Sequence, residues 1–216
     1  MALTTAPRAE LLDLGPLAQL RAGRLGRRLP QLVVGLALFG ASLGLMVRGA
    51  LGLAPWDVLH LGLIRYLPMT LGQMVVLASF VVLLLWIPLR ERPGLGTVAN
   101  AVLVGLSADA TLALVAEPEG LLPRVLLLLA GVLLNGVAGA LYIGAQLGRG
   151  PRDGLMTGIA RRTGLSLRLV RTGLEVTVVL LGVLLGGVVG VGTLLYALGV
   201  GPLTQFFLPW GLVELE

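Results

Sequence analysis

Two stretches decide how this chain folds: LGLAPWDVL, residues 51–59, and LGRGPRDGL, residues 147–155. Both read Leu-Gly-x-x-Pro-x-Asp-x-Leu, both follow a long apolar run, and they lie 96 residues apart. Shifting the chain by that offset also brings Gly62 onto Gly158, Arg65 onto Arg161, and Gly105 onto Gly201. Gly94, Gly96 and Thr97 fall likewise on Gly190, Gly192 and Thr193. About two dozen of about eighty pairs are identical, against roughly one chance match in ten for a chain this rich in Leu, Gly and Val. The motif is written twice because the fold is built twice.

The solvent around that motif follows from composition. With 56% hydrophobic and 12% charged residues among 216, the chain has about half the charge of an ordinary soluble domain. Apolar runs at residues 32–47, 71–89, 95–116, 121–147, 169–189 and 191–210 approach or exceed the roughly 20 residues a helix needs to cross hydrocarbon. Six spanning helices are expected, in an all-α polytopic membrane protein whose partner is the lipid bilayer. The alternating pattern of a membrane β-barrel is absent.

Composition also excludes chemistry. There is no cysteine and a single histidine, His60, so disulfides, thiol nucleophiles and a zinc site are not expected. No Ser/Lys dyad, paired metal-ligating histidines or nucleotide fingerprint stands in a recognisable frame, and an enzyme, a cofactor or a metal is not expected. GRGPRDG lacks the Gly-Lys-Ser/Thr of a phosphate loop. The net charge of +5 is not a nucleic-acid signal, because the arginines sit between apolar runs. All sixteen basic residues are arginine, the usage of a GC-rich bacterial gene.

Three units are expected: an Arg-rich cytoplasmic tail at 1–30, a first transmembrane repeat at 31–120 and a second at 121–216. Each repeat reads as a span, the Leu-Gly-x-x-Pro-x-Asp element with a short helix, a second span, and a third span opened by Gly-x-Gly-Thr. At about 13 residues the short helix suits a re-entrant or interfacial position, with proline in its first turn where no backbone donor is lost. If it does not span, each repeat has three spans and the second copy is inverted. The arginines then divide about 13 inside to 3 outside; the parallel four-plus-four alternative gives about 11 to 5. The inverted three-plus-three arrangement is favoured, in a bacterial plasma membrane with the N-terminus inside.

In such repeats a broken helix can aim its positive end at a polar solute. Gly52, Pro55, Gly148 and Pro151 form the break, and Gly96, Thr97, Gly192 and Thr193 open the third spans. Asp57 and Asp153 can cap the short helices or face a cavity. Trp56 is a belt residue or a stacking surface, and its counterpart Arg152 a holder of an anionic group or one more inside charge. Asp109 stands alone in an apolar run, a solute or proton site or a group hydrogen-bonded to a neighbouring helix. His60, three residues after Asp57, can form a proton-sensitive pair with it. Arg171 and Glu175 are spaced for an ion pair.

On LGLAPWD, on Gly94–Thr97 (GLGT) and on Asp109, the chain resembles the bacterial YczE/YitT-like family of small integral membrane proteins, over about residues 32–210. The resemblance implies a multi-spanning plasma-membrane protein without fixing an activity, and it points to Pro55, Trp56, Asp57, Gly96, Thr97 and Asp109. Arg152 in place of Trp56 and Gln205 in place of Asp109 depart from that pattern in the second copy. The functional expectation is a transporter or exporter of a small solute; the alternative is an accessory protein that binds a partner through its helices and arginines. A homodimer is also expected. Single cysteines at Arg65, Arg90 and Arg152, in a chain that has none of its own, test the topology: Arg65 labels from outside and the other two from inside if the repeats are inverted.

Overall fold

The computed structural model describes residue 11 and residues 14–215. Among the described residues there are helices and no strands: α1 (Pro16–Arg21), α2 (Leu25–Gly49), α3 (Pro55–Leu63), α4 (Leu71–Leu89), α5 (Leu95–Leu114), α6 (Leu121–Gly144), α7 (Pro151–Thr163), α8 (Leu167–Leu184) and α9 (Val191–Gly211). The boundaries follow local chemistry. Pro55 and Pro151 open α3 and α7, where a missing N–H costs nothing. The Thr70 hydroxyl accepts from the Gln73 N–H to start α4, and Ser166 accepts from Leu169 to start α8, as N-cap residues do.

Long helices pack through glycine, since a bundle in lipid gains close contact only where side chains leave room. α2 and α6 run antiparallel at the centre: Gly35 lies against Tyr142, Gly131 against Met46, and Gly49 against Arg124. Ser42 and Asn135 are hydrogen-bonded midway, at 2.7 Å. α5 runs parallel to α2, with Gly40 against Val104 and Gly44 against Thr111. α9 runs parallel to α6, with Gly136 against Leu203 and Gly144 against Gly211. The short helices cross over, so that α3 packs on α8 and α7 on α4.

Backbone conformation recurs at the same spacing. The positive-φ residues include Arg24 and Gly120, Ala50 and Gln146, Gly52 and Gly148, and Arg90 and Gly186, each pair 96 residues apart. Gly52 (φ +128°) and Gly148 (φ +125°) occupy a region that L side chains rarely adopt. There the glycine of the repeated motif is required by conformation.

One expectation is met in part and another needs correction. Five helices are long and apolar enough to cross a membrane, and α8 is not among them, because Arg168, Arg171 and Glu175 interrupt its first half. The first long helix begins at Leu25, inside the segment expected to be tail. Arg28 is 0% exposed and gives Nε to the Ala145 carbonyl at 2.8 Å and Nη2 to the Gln146 carbonyl at 2.7 Å. Its Nη1 reaches the carbonyls of Gln19 and Gly23. It therefore saturates carbonyls that the end of α6 leaves without helical partners. The tail at residues 1–10, 12 and 13 lies outside the described residues.

The crossed contacts exchange large for small. Trp86 of α4 is buried on Gly154 of α7, where an added Cβ would lie 2.0 Å from the ring, and its Nε1 donates to the Pro151 carbonyl at 2.9 Å. At the corresponding contact, Gly182 of α8 lies against the backbone of Val58 and Leu59 in α3. Trp86 and Gly182 occupy one place in the two halves, Gly154 and Val58 the other. Gly154→Val is expected to cost about 1–3 kcal/mol through overpacking. The double variant W86G/G154V copies the sister contact, and its unfolding in detergent is expected to show a smaller loss than the two single losses added.

Candidate functional site

The site is built where the chain breaks between α2 and α3 and between α6 and α7. Each break leaves backbone carbonyls without helical partners, and each finds its donors on the opposite half. The Leu51 carbonyl accepts from the Gly192 N–H at 2.9 Å, and the Leu53 N–H donates to Thr193 Oγ1 at 3.1 Å. In the mirrored place the Leu147 carbonyl accepts from the Gly96 N–H at 2.7 Å, and the Thr97 hydroxyl donates to the Arg149 carbonyl at 2.7 Å. Thr97 and Thr193 also accept from the N–H groups of Gly94 and Gly190. The repeated motif and the Gly-x-Gly-Thr element are therefore two parts of one joint, each half supplying one part to the other.

Between these joints lies a cavity of about 500 Å³ that all the long helices except α4 help to line. Trp56 of α3 and Arg152 and Asp153 of α7 face it, with Asn135 and Tyr142 of α6, Arg171 and Glu175 of α8, and Tyr196 and Gln205 of α9. A second cavity of about 370 Å³ shares Tyr142 and Asp153 with the first and continues past Gln146 and Arg149 to Gln19 of α1. The space thus leads toward the end of the bundle where α6 stops.

Most polar groups here hold one another. The Tyr142 hydroxyl donates to the Asp153 carboxylate. Arg171 Nε donates to Glu175 at 2.8 Å, the pair expected from the spacing. The Tyr196 hydroxyl donates to Asn135 Oδ1 at 3.2 Å. Arg152 stands over the Trp56 ring, 5.2 Å from its centroid, a cation–π contact. These two residues, equivalent in the two halves, touch each other.

The expected site residues separate into three groups. Trp56, Arg152 and Asp153 line the cavity. Asp57 and His60 pair behind it, His60 Nδ1 to Asp57 Oδ1 at 2.9 Å and each 1% exposed, while His60 Nε2 has no hydrogen-bond partner. The short helices are capped by Ala54 and Gly150 without a side-chain bond, so the carboxylates' bonds to His60 and Tyr142 take the place of the cap expected of them. Asp109 sits at the α4–α5 contact, its carboxylate accepting from the Thr70 hydroxyl and from the Gly72 N–H at 2.7 Å. It meets the neighbouring helix and not the cavity, where its counterpart Gln205 is placed instead. Tyr142, Tyr196 and Asn135 join the expected residues at the cavity; each is a polar-tipped or polar group within an apolar run, which is their signal in the sequence. Among the described residues no cluster of three metal-ligating side chains occurs.

Residues 26–209 match a family described as of unknown function, DUF6198, and the chain belongs to it. It is 45% identical over 177 residues to an uncharacterized protein of Haemophilus influenzae, covering 82% of this chain and 81% of that one. It is 32% identical over 177 residues to the uncharacterized membrane protein YczE of Bacillus subtilis, covering 81% and 82%. A third relative, the uncharacterized protein YyaS of Bacillus subtilis, is 27% identical over 180 residues, covering 82% and 90%. No solved structure matches. The resemblance carried by LGLAPWD is borne out, and the chain is a membrane protein.

The buried Asp57–His60 pair generates a test. Removing one partner leaves the other buried without its bond, which costs about 3–5 kcal/mol for a buried pair, whereas removing both is milder. His60→Leu is therefore expected to destabilise the protein more than H60L combined with D57L, read as the midpoint of unfolding in mixed micelles.

Proposed function

We propose that this DUF6198 protein is a transporter of a small solute, built from two inverted repeats that open the central cavity to one side of a bacterial plasma membrane at a time. The observation that carries the proposal is a difference between two seams that occupy the same place in the two halves. At the α4–α5 seam the backbones touch: a Cβ on Gly72 would lie 2.1 Å from the Gly105 carbonyl, and Asp109 ties the start of α4 to α5. The residues in the same places at the α8–α9 seam are Arg168, Gly201 and Gln205. There a Cβ on Gly201 would meet only Arg171 Nη1, at 3.7 Å, and the cavity runs between the helices, Arg171 and Glu175 on one wall, Gly201 and Gln205 on the other.

One seam is sealed and its counterpart is open. A chain that can hold the same element in two arrangements has what alternating access requires, a second state in which the seams exchange roles. The antiparallel contact of α2 and α6 supports placing the two seams at opposite membrane faces. The open end carries Arg149, Arg161, Arg162 and Arg168 as well as α1, and the positive-inside rule assigns it to the cytoplasm.

Spin labels test the exchange in a chain free of native cysteine. Pairs at Arg168 and Phe206, and at Leu77 and Leu106, report the α8–α9 and α4–α5 seams from exposed positions. In lipid, each pair is expected to show two distances, and a shift that shortens one lengthens the other. A single fixed distance across both seams would overturn the proposal.

A further inference from the structure

We infer that the cavity takes an organic monoanion, its carboxylate bound by Arg152 and its apolar part laid against Trp56. The inference rests on the transporter reading for the use of the site, but binding can be tested without it. The carboxylates that line the cavity are held within the protein. Glu175 accepts from Arg171 Nε, and Asp153 accepts from the Tyr142 hydroxyl. Asp57 is paired with His60 and shut away behind the wall.

Arg152 differs from all of these. It lines the cavity, and among the described residues its side chain has neither a hydrogen bond nor an ion pair; it stands over the face of Trp56. A guanidinium carries five donors and no acceptor and keeps its charge at any physiological pH. Partly buried and unpaired at the cavity wall, it offers donors that a ligand with acceptors can engage.

The surroundings narrow the ligand. Trp56 holds the guanidinium over its ring, and a guanidinium meets a carboxylate with two parallel bonds. Asp153 and Glu175 face the same space, so a dianion such as phosphate would be repelled where a single negative charge is tolerated. Phe39, Tyr142 and Tyr196 complete an aromatic wall around a volume of about 500 Å³, which suits a small solute with a hydrocarbon or ring portion. The place is not duplicated, because Arg152 and Trp56 are each other's counterparts and form one site across the two halves.

Three probes of one shape separate the alternatives: benzoate, benzylamine and benzyl alcohol, titrated calorimetrically into the full chain in detergent micelles. Benzoate is expected to bind and the other two not. Arg152→Gln is expected to weaken benzoate about tenfold or more, as loss of a charged hydrogen-bonding partner does, with Arg152→Lys in between. Arg92→Gln, an exposed arginine away from the cavity, should leave the affinity unchanged. The inference is overturned if benzylamine binds in preference to benzoate, if R152Q, still folded by its melting curve, binds benzoate as the unaltered chain does, or if none of the three binds. Seam distances are read without ligand, so either proposal can fail while the other stands.

Discussion

Backbone that breaks its helix inside an apolar bundle must find hydrogen-bond partners, because no water is present to supply them. The rest of this structure depends on how that demand is met. Two breaks interrupt the chain, and the carbonyls of Leu51 and Leu147 are satisfied by the N–H groups that open α9 and α5. Helix starts have unpaired donors and broken helices have unpaired acceptors, so each defect answers the other. Because the donors belong to the opposite half, neither half completes its own joint. Gly52 and Gly148 are needed here for their positive φ, and a Cβ on Gly52 would also lie 2.7 Å from the Thr193 nitrogen.

From these joints the short helices α3 and α7 depart, and their direction places Trp56 and Arg152 in the centre. Symmetry is kept in the backbone and relaxed in the side chains. Gly154 receives the Trp86 ring, whereas Gly182, in the place of Trp86, lets α8 approach the backbone of Val58 directly. Asp109 and Gln205 go further, since the first ties two helices together and the second faces the cavity. Exchange of a carboxylate for an amide at one pair of equivalent positions accompanies one sealed seam and one open seam. That pairing of like backbone with unlike contacts is what the transporter proposal draws on.

Much of the fold was legible because its signals are local or periodic. Apolar runs marked the long helices, prolines marked the starts of α3 and α7, and the 96-residue spacing marked the duplication. Spacing along one helix also anticipated Arg171 with Glu175 and Asp57 with His60. What misled was position along the chain treated as position in space. Arg28, counted with a basic tail, is buried and hydrogen-bonded to the far end of α6. Asp109, isolated in its run, takes the second of its two expected roles, bonded to Thr70 and Gly72 at the start of a neighbouring helix. α8 is less apolar than the other long helices because Arg168, Arg171 and Glu175 stand in its first half.

By itself, the sequence determined the solvent, the helical class, the recurring motif and the two breaks, since hydrophobic period, proline and glycine act on residues near them in the chain. Only the tertiary structure decided which groups meet. The joint between the Leu51 carbonyl and Gly192, the contact of Arg152 with Trp56, and the difference between the two seams all join residues from separate halves. Such contacts depend on how helices cross and how closely glycines let them approach, and no spacing along one chain records that.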